Sequence, residues 1–338
     1  MDVRRKGGRG PAAKGIVAAA LAVAFGAGPA GPAAALAINV SLNTGGGTTA
    51  QPTGVVGAGA LLDIAQAAAT VWRTALDDEG AGTTFDIEVA WGDLGSSSTI
   101  ATTYVDTVGG VKTAGPAAVG THTSPAIWFN SARSDWFLDA TPYDPSEFGA
   151  AQTVTGTGGI VTGQYFLSET PAIDTLLDLF TVALHEIGHA IGFLDYTNSP
   201  FDDGGLTLQA PLPHAGFEVP LDTIGGGHVY VPLTEAQKAM TPMQQLIAAA
   251  QNNQPYSHAL LFHSIGAGER RLPSEMDMEA VAQLMGFAGV DPDAARRLAG
   301  GEASAASDAA VPAPAAGLLA LSGVGALAAL RRRRRARG

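Results

Sequence analysis

The chain has 338 residues, no cysteine, and 31 Asp and Glu against 19 Lys and Arg, for a formal net charge of −12. Lack of thiols excludes a disulfide framework and a cysteine nucleophile, so the fold must rest on its core. Eleven of the nineteen basic residues lie in 1–14 and 331–338, leaving eight basic and thirty acidic residues in 38–310, a net −22 that repels nucleic acid and anionic lipid.

Residues 1–37 read as a bacterial-type secretory signal. Arg4, Arg5, Lys6, Arg9 and Lys14 precede an alanine-rich apolar stretch at 16–27, and Ala35-Leu36-Ala37 forms a small-x-small cleavage site. The mature chain then starts near Ile38, and its roughly 260 residues before the tail suffice for one core or two lobes. Ala37–Leu42 is a strand candidate. Residues 59–76 read as an amphipathic helix with Leu62, Ala65, Ala69, Trp72 and Leu76 on one face. Residues 85–91 alternate apolar and acidic, as a half-buried strand does, and 104–108 is a further strand candidate. Residues 140–168, rich in Gly, Thr and Pro, read as loop with one or two short extended pieces.

A helix is expected next, opened by Thr170-Pro171 as cap and first-turn proline. Leu176, Leu177, Phe180, Leu184, Ile187 and Ile191 recur on its core face. It carries the run His185-Glu186-Ile187-Gly188-His189-Ala190-Ile191-Gly192-Phe193-Leu194-Asp195. At i and i+4 the two histidines share one helix face, where two imidazoles can bind one zinc ion and Glu186 can take a proton from a water activated there. Gly192 suits the left-handed residue that ends the helix, and a sharp turn there brings Asp195 back as third ligand.

Helix, HExxH, glycine and a ligand three residues on resemble the HExxHxxGxxH/D signature of the metzincin clan of zinc endopeptidases. Ala126-Ile127-Trp128-Phe129-Asn130, with Ser134-Asp135-Trp136-Phe137 after it, resembles the matrixin edge strand and loop that line the cleft and pair with extended substrate. Leu272-Pro273-Ser274-Glu275-Met276-Asp277-Met278-Glu279 resembles the start of the matrixin C-terminal helix, with Ser274 and Asp277 as a capping-box pair. The chain departs from the clan at the methionine turn: His258-Ala259-Leu260-Leu261-Phe262-His263 occupies that place, with Leu261 at the methionine position. His258 and His263 therefore stand as alternatives to Asp195 for the third ligand. Tyr196 is a candidate oxyanion donor.

Residues 193–257 read as mostly irregular, apart from a helix near 233–252 begun by Thr234 and Glu235. The last helix is expected at 274–285, and 298–310, rich in Ala, Ser and Gly, reads as a flexible linker. Asp202-Asp203-Gly204-Gly205 is the local candidate for calcium, with a solvated turn as the plainer explanation. At the end, Val311-Pro312-Ala313-Pro314 leads into an apolar stretch to Leu330 and then five arginines, 331–335. Eighteen residues, 313–330, reach the lower limit for spanning a bilayer. Proline motif, apolar segment and basic tail resemble the PEP-CTERM sorting signal of Gram-negative bacteria, with Ala313 where glutamate is commonest. The resemblance implies an exosortase-type membrane protease as partner, a transient membrane anchor, and release to the cell surface or outside; a plain membrane anchor is the alternative.

The expected organisation is a signal at 1–37, an α+β metzincin-like catalytic domain at 38–297, a linker at 298–310 and a sorting segment at 311–338. The domain would have a mixed twisted sheet with a long active-site helix in one lobe, and an irregular second lobe with a C-terminal helix. The expected activity is zinc-dependent hydrolysis of protein or peptide, with Glu186 as general base and His185, His189 and Asp195 on the metal. Two other readings stay open: a surface or matrix protein whose zinc site is structural or degenerate, and a zinc hydrolase of other esters or amides.

Overall fold

The computed structural model describes residues 35–104, 125–193, 205–222 and 228–299, all within one compact unit, Ala34–Gly338. The architecture is α+β: several small sheets and, among the described residues, six α-helices. The signal through residue 34, the stretch from residue 300 on, Asp195, Tyr196 and Asp202 to Gly204 lie outside the described residues. No helix among the described residues is long and apolar enough to cross a membrane.

The principal sheet has the strand order Ala37–Leu42, Thr84–Gly92, Ala126–Asn130, Ala101–Tyr104. The first three run parallel and the last is antiparallel. In Thr84–Gly92 the alternation of exposed Asp86 and buried Ile87 gives way to burial on both faces from Val89 onward, where the strand enters the sheet centre. Helix α1, Leu61–Ala75, connects the first two parallel strands and buries Ile64, Ala65, Ala68, Val71 and Trp72. Helix α2, Leu179–Ala190, lies against α1, and the Trp72 indole N–H donates to the Leu184 carbonyl at 2.8 Å, tying the two together inside the core.

Four expectations are corrected. The helix bearing the histidines begins at Leu179, not near Thr170, because residues 177 and 178 first pair as a short strand with Trp136 and Phe137. The Asp178 carboxylate then caps the helix, accepting from the Thr181 backbone N–H and hydroxyl. Second, Ala126–Asn130 is an interior strand: both its edges are bonded, and Ala101–Tyr104 is the edge among the described residues. Third, 233–252 is two helices, α3 Glu235–Lys238 and α4 Pro242–Asn253. Thr241 caps a new start and Pro242 cannot continue the old one, having no N–H to donate. Fourth, 193–257 holds a three-stranded sheet, Gly205–Thr207, Glu218–Asp222 and His228–Val229.

The extended pieces at 140–168 prove to be a hairpin, Gln152–Thr155 and Val161–Leu167, completed into a three-stranded sheet by Glu269–Leu272. That last strand carries Arg270, fully buried, in ion pairs with Asp139 at 2.8 Å and Asp178 at 2.9 Å and stacked over Phe148 and Phe180. Since Asp178 also caps α2, the buried arginine fixes where that helix starts. Helix α5, Glu275–Met285, opens with the expected Ser274–Asp277 capping box, and α6 is Ala294–Ala299.

Candidate metal centre

Helix α2 is buried along its whole length, and His185, Glu186 and His189 retain 5, 7 and 5 % exposure. One turn apart, the two histidines face each other with Nε2 atoms 3.1 Å apart. His228 joins them, its Nε2 3.2 Å from that of His189 and its ring stacked against His185 at 5.3 Å. The three ligand atoms all lie within 4.8 Å of one another, so the group could hold a metal ion. Ligand nitrogens about 2.0–2.1 Å from a tetrahedral metal sit roughly 3.3 Å apart, close to the 3.1 and 3.2 Å that separate His189 from His185 and His228. The donor set therefore fits such an ion.

The backbone orients the rings. His185 Nδ1 hydrogen-bonds the Leu260 carbonyl at 2.7 Å, and His189 Nδ1 bonds the Phe193 carbonyl. A carbonyl can only accept, so both Nδ1 atoms carry the proton and both Nε2 lone pairs point at the metal position. Burial, with the facing His189 and His228 rings next, pushes His185 well below the ordinary imidazole range. Burial likewise pushes His189 down to about 3. Both rings are neutral at physiological pH, the form that binds metal.

One short segment, 258–263, organises the site. Its Leu260 carbonyl holds His185, and its Leu261 carbonyl accepts from the Val229 N–H at 2.9 Å, which fixes the strand bearing His228. The segment is itself held by the Asp277 carboxylate, fully buried, which accepts from the N–H groups of Leu260 and Leu261 at 3.0 and 3.1 Å while capping α5 with Ser274. Leu261 presses on Gly188: a Cβ there would lie 2.7 Å from Leu261 Cδ2 and 3.1 Å from Trp72 Cζ2. Gly192 has φ +134°, and a Cβ on it would meet the Met285 sulfur at 2.3 Å. The two motif glycines thus admit close packing on one side and a sharp exit on the other.

Glu186 faces the edge strand. The Thr103 hydroxyl lies 2.6 Å from Glu186 Oε2 and 3.0 Å from its backbone carbonyl. Burial raises the Glu186 carboxyl to about 7, even against the lowering effect of that hydrogen bond.

The structure thus brings together three of the expected residues, His185, Glu186 and His189. Neither histidine offered as an alternative third ligand joins them. His258 bonds the Glu269 carboxylate at 2.7 Å and stacks on Tyr165, and His263 packs against Tyr230 and Phe262. Sequence reasoning missed His228 and Thr103. The sequence around His228, three glycines followed by His-Val-Tyr, signals a turn entering a strand but carries no spacing that links it to His189, 39 residues earlier. Comparison with known proteins adds nothing to this geometry: no protein-family model, no curated protein and no solved structure matches the chain.

Proposed function

We propose that the chain is a zinc-dependent endopeptidase with His185, His189 and His228 as ligands and Glu186 as general base. The observation that carries this reading is the convergence of three imidazole nitrogens, from buried His185 and His189 and half-buried His228, with buried Glu186 following His185 on the same helix. Three histidines suit zinc and leave a fourth position for substrate or water, as a catalytic site requires. Zinc bound there supplies a Lewis acid that acidifies water and polarises a carbonyl. Glu186 takes the proton of the attacking water and returns it to the departing amine. With Oε2 engaged by Thr103, that transfer falls to Oε1. The outer edge of Ala101–Tyr104 is where an extended peptide adds to the sheet, in place of the interior strand expected at 126–130.

The metzincin resemblance belongs to this proposal, with His228 rather than Asp195 completing the ligands. Gly192 with positive φ, the 260–261 turn under α2 and the Ser274–Asp277 cap support it. Export and surface sorting, from residues 1–37 and 311–338, are proposed with it. The test is casein hydrolysis by the purified chain with and without a chelator, alongside Glu186→Gln and His228→Ala. Glu186→Gln should lose about 10²–10⁴-fold in turnover with zinc retained, and His228→Ala should lose the zinc. Undiminished proteolysis by Glu186→Gln sinks the assignment.

A further inference from the structure

Seven large hydrophobic residues are well exposed among the described residues, and four fall within eight positions: Met240, Met243, Leu246 and Ile247, 41 to 66 % exposed. Met243, Leu246 and Ile247 line one face of α4, spaced i, i+3 and i+4. Of the twelve residues of that helix only Ala248 and Asn253 are buried. It is held by its ends: Thr241 and Gln244 form a capping box, and Asn253 clasps Val231 through both backbone groups. A helix of about this length is marginal in water by itself, and its stability usually comes from burying its apolar face. Here the described residues leave that face uncovered.

Charge says what covers it. Across α4, residues 242 to 253, there is no charged side chain, in a chain with thirty acidic residues between 38 and 310. A surface kept for water in so acidic a protein would carry its share of carboxylates; one kept for a lipid interface sheds them. Size argues the same way. The four side chains expose roughly 400 Å², about half of what each partner contributes to a standard protein interface, so the patch is too small to hold a second copy. It is large enough to rest on a surface to which the protein is already tethered, because tethering replaces affinity with effective concentration. Residues 313–330, followed by the five arginines, offer that tether.

We infer that α4 is an interfacial helix whose Met243, Leu246 and Ile247 face, with Met240, sits in the headgroup layer of the bilayer that holds residues 313–330. This rests on the reading of 313–330 as a membrane segment and concerns the anchored chain, before any release. Because Asn253 joins α4 to Val231, three residues from His228, the contact would set the candidate centre close to the membrane surface.

The chain has no cysteine, so one introduced thiol labels one position. The full chain bearing Leu246→Cys, coupled to nitrobenzoxadiazole, is reconstituted into phosphatidylcholine vesicles, whose zwitterionic headgroups do not repel the acidic chain. Leu42→Cys, exposed on the first strand, is the control. The expected result is flotation of both proteins, with emission from position 246 shifted to the blue, raised roughly twofold or more, and quenched by lipids spin-labelled near the headgroup. Position 42 should stay water-like. Flotation with water-like emission at 246 overturns the inference while leaving the tether intact, and failure to float overturns both. A blue shift already present without vesicles, or one that spin-labelled lipid does not quench, assigns the face to a protein partner and also overturns it.

Discussion

Gly188→Ala tests whether the 258–263 segment carries the metal centre. In a helix interior the change should stabilise by about 1 kcal/mol. Here the new Cβ lands 2.7 Å from Leu261 Cδ2 and 3.1 Å from Trp72 Cζ2. Trp72 cannot yield, being fully buried and bonded through its indole N–H to Leu184. Leu261 must move, and it is bound at its N–H to Asp277 and at its carbonyl to Val229, beside the residue that holds His185. Overpacking of this kind costs about 1–3 kcal/mol, so the expected net loss is roughly 1 kcal/mol. Displacing a group that orients a ligand should weaken metal binding about tenfold or more. Leu261→Ala alone should cost about 2–5 kcal/mol through its cavity. In the double variant the added methyl no longer meets Leu261, so the pair should be less destabilised than the two changes summed, by about 2 kcal/mol, the overpacking relieved. Urea unfolding of the four proteins without metal, with zinc affinity from chelator competition, measures both effects. Additivity within about 0.3 kcal/mol and an unchanged affinity would refute the argument.

Thr103→Val should lower kcat about tenfold with KM and zinc content unchanged, and Thr103→Ser should restore it, since only the hydroxyl bonds Glu186. A kcat equal in the Val and Ser variants would show that the contact does not orient the base. Asp277→Asn replaces one oxygen of a group that takes four hydrogen bonds with a donor. It should cost about 2–3 kcal/mol in urea unfolding, and a loss within error of zero would contradict the anchoring role. Burial alone would raise the Glu269 carboxyl, but His258 and Arg271 hold it below the ordinary range. A depressed folded value stabilises the fold above the unfolded value, about 4.3, and that contribution disappears as pH falls through the folded one. The stability difference between wild type and Glu269→Gln should therefore be large at pH 6 and shrink at pH 3; a difference that grows on acidification would reverse the sign.

Local signals in the chain were legible where the structure is local. Strand Ala37–Leu42 appears with the bounds expected, α1 lies inside 59–76, and the Ser274–Asp277 cap starts α5 as read. Each depends on a repeat or a cap within a few residues. The errors arose where a distant partner overrides a good local signal. Thr170-Pro171 is a sound helix start on its own, but Asp178 is a better one once Arg270 reaches it from 92 residues away. The aromatic run Ala126–Asn130 suits an edge strand as well as an interior one, and only the pairing of Ala101–Tyr104 decides between them.

The same distinction divides the site. His185, Glu186 and His189 share one helix, and a period of 3.6 residues is enough to see them converge. The third histidine is placed by a relay instead: Asp277 holds the 260–261 turn, the turn holds the Val229 N–H, and Val229 carries His228 into position. The turn's Leu260 carbonyl also orients His185. One buried carboxylate, Asp277, 88 residues beyond His189 and in no pattern a sequence displays, thus governs two of the candidate ligands, His185 through Leu260 and His228 through Leu261. A relay of this kind makes ligand assembly a consequence of completed tertiary packing, because α5 must dock before the turn can fix either ring. It follows that metal binding and docking of α5 should be lost together when Asp277 is changed, whereas a centre carried by α2 alone would keep two ligands and part of its affinity.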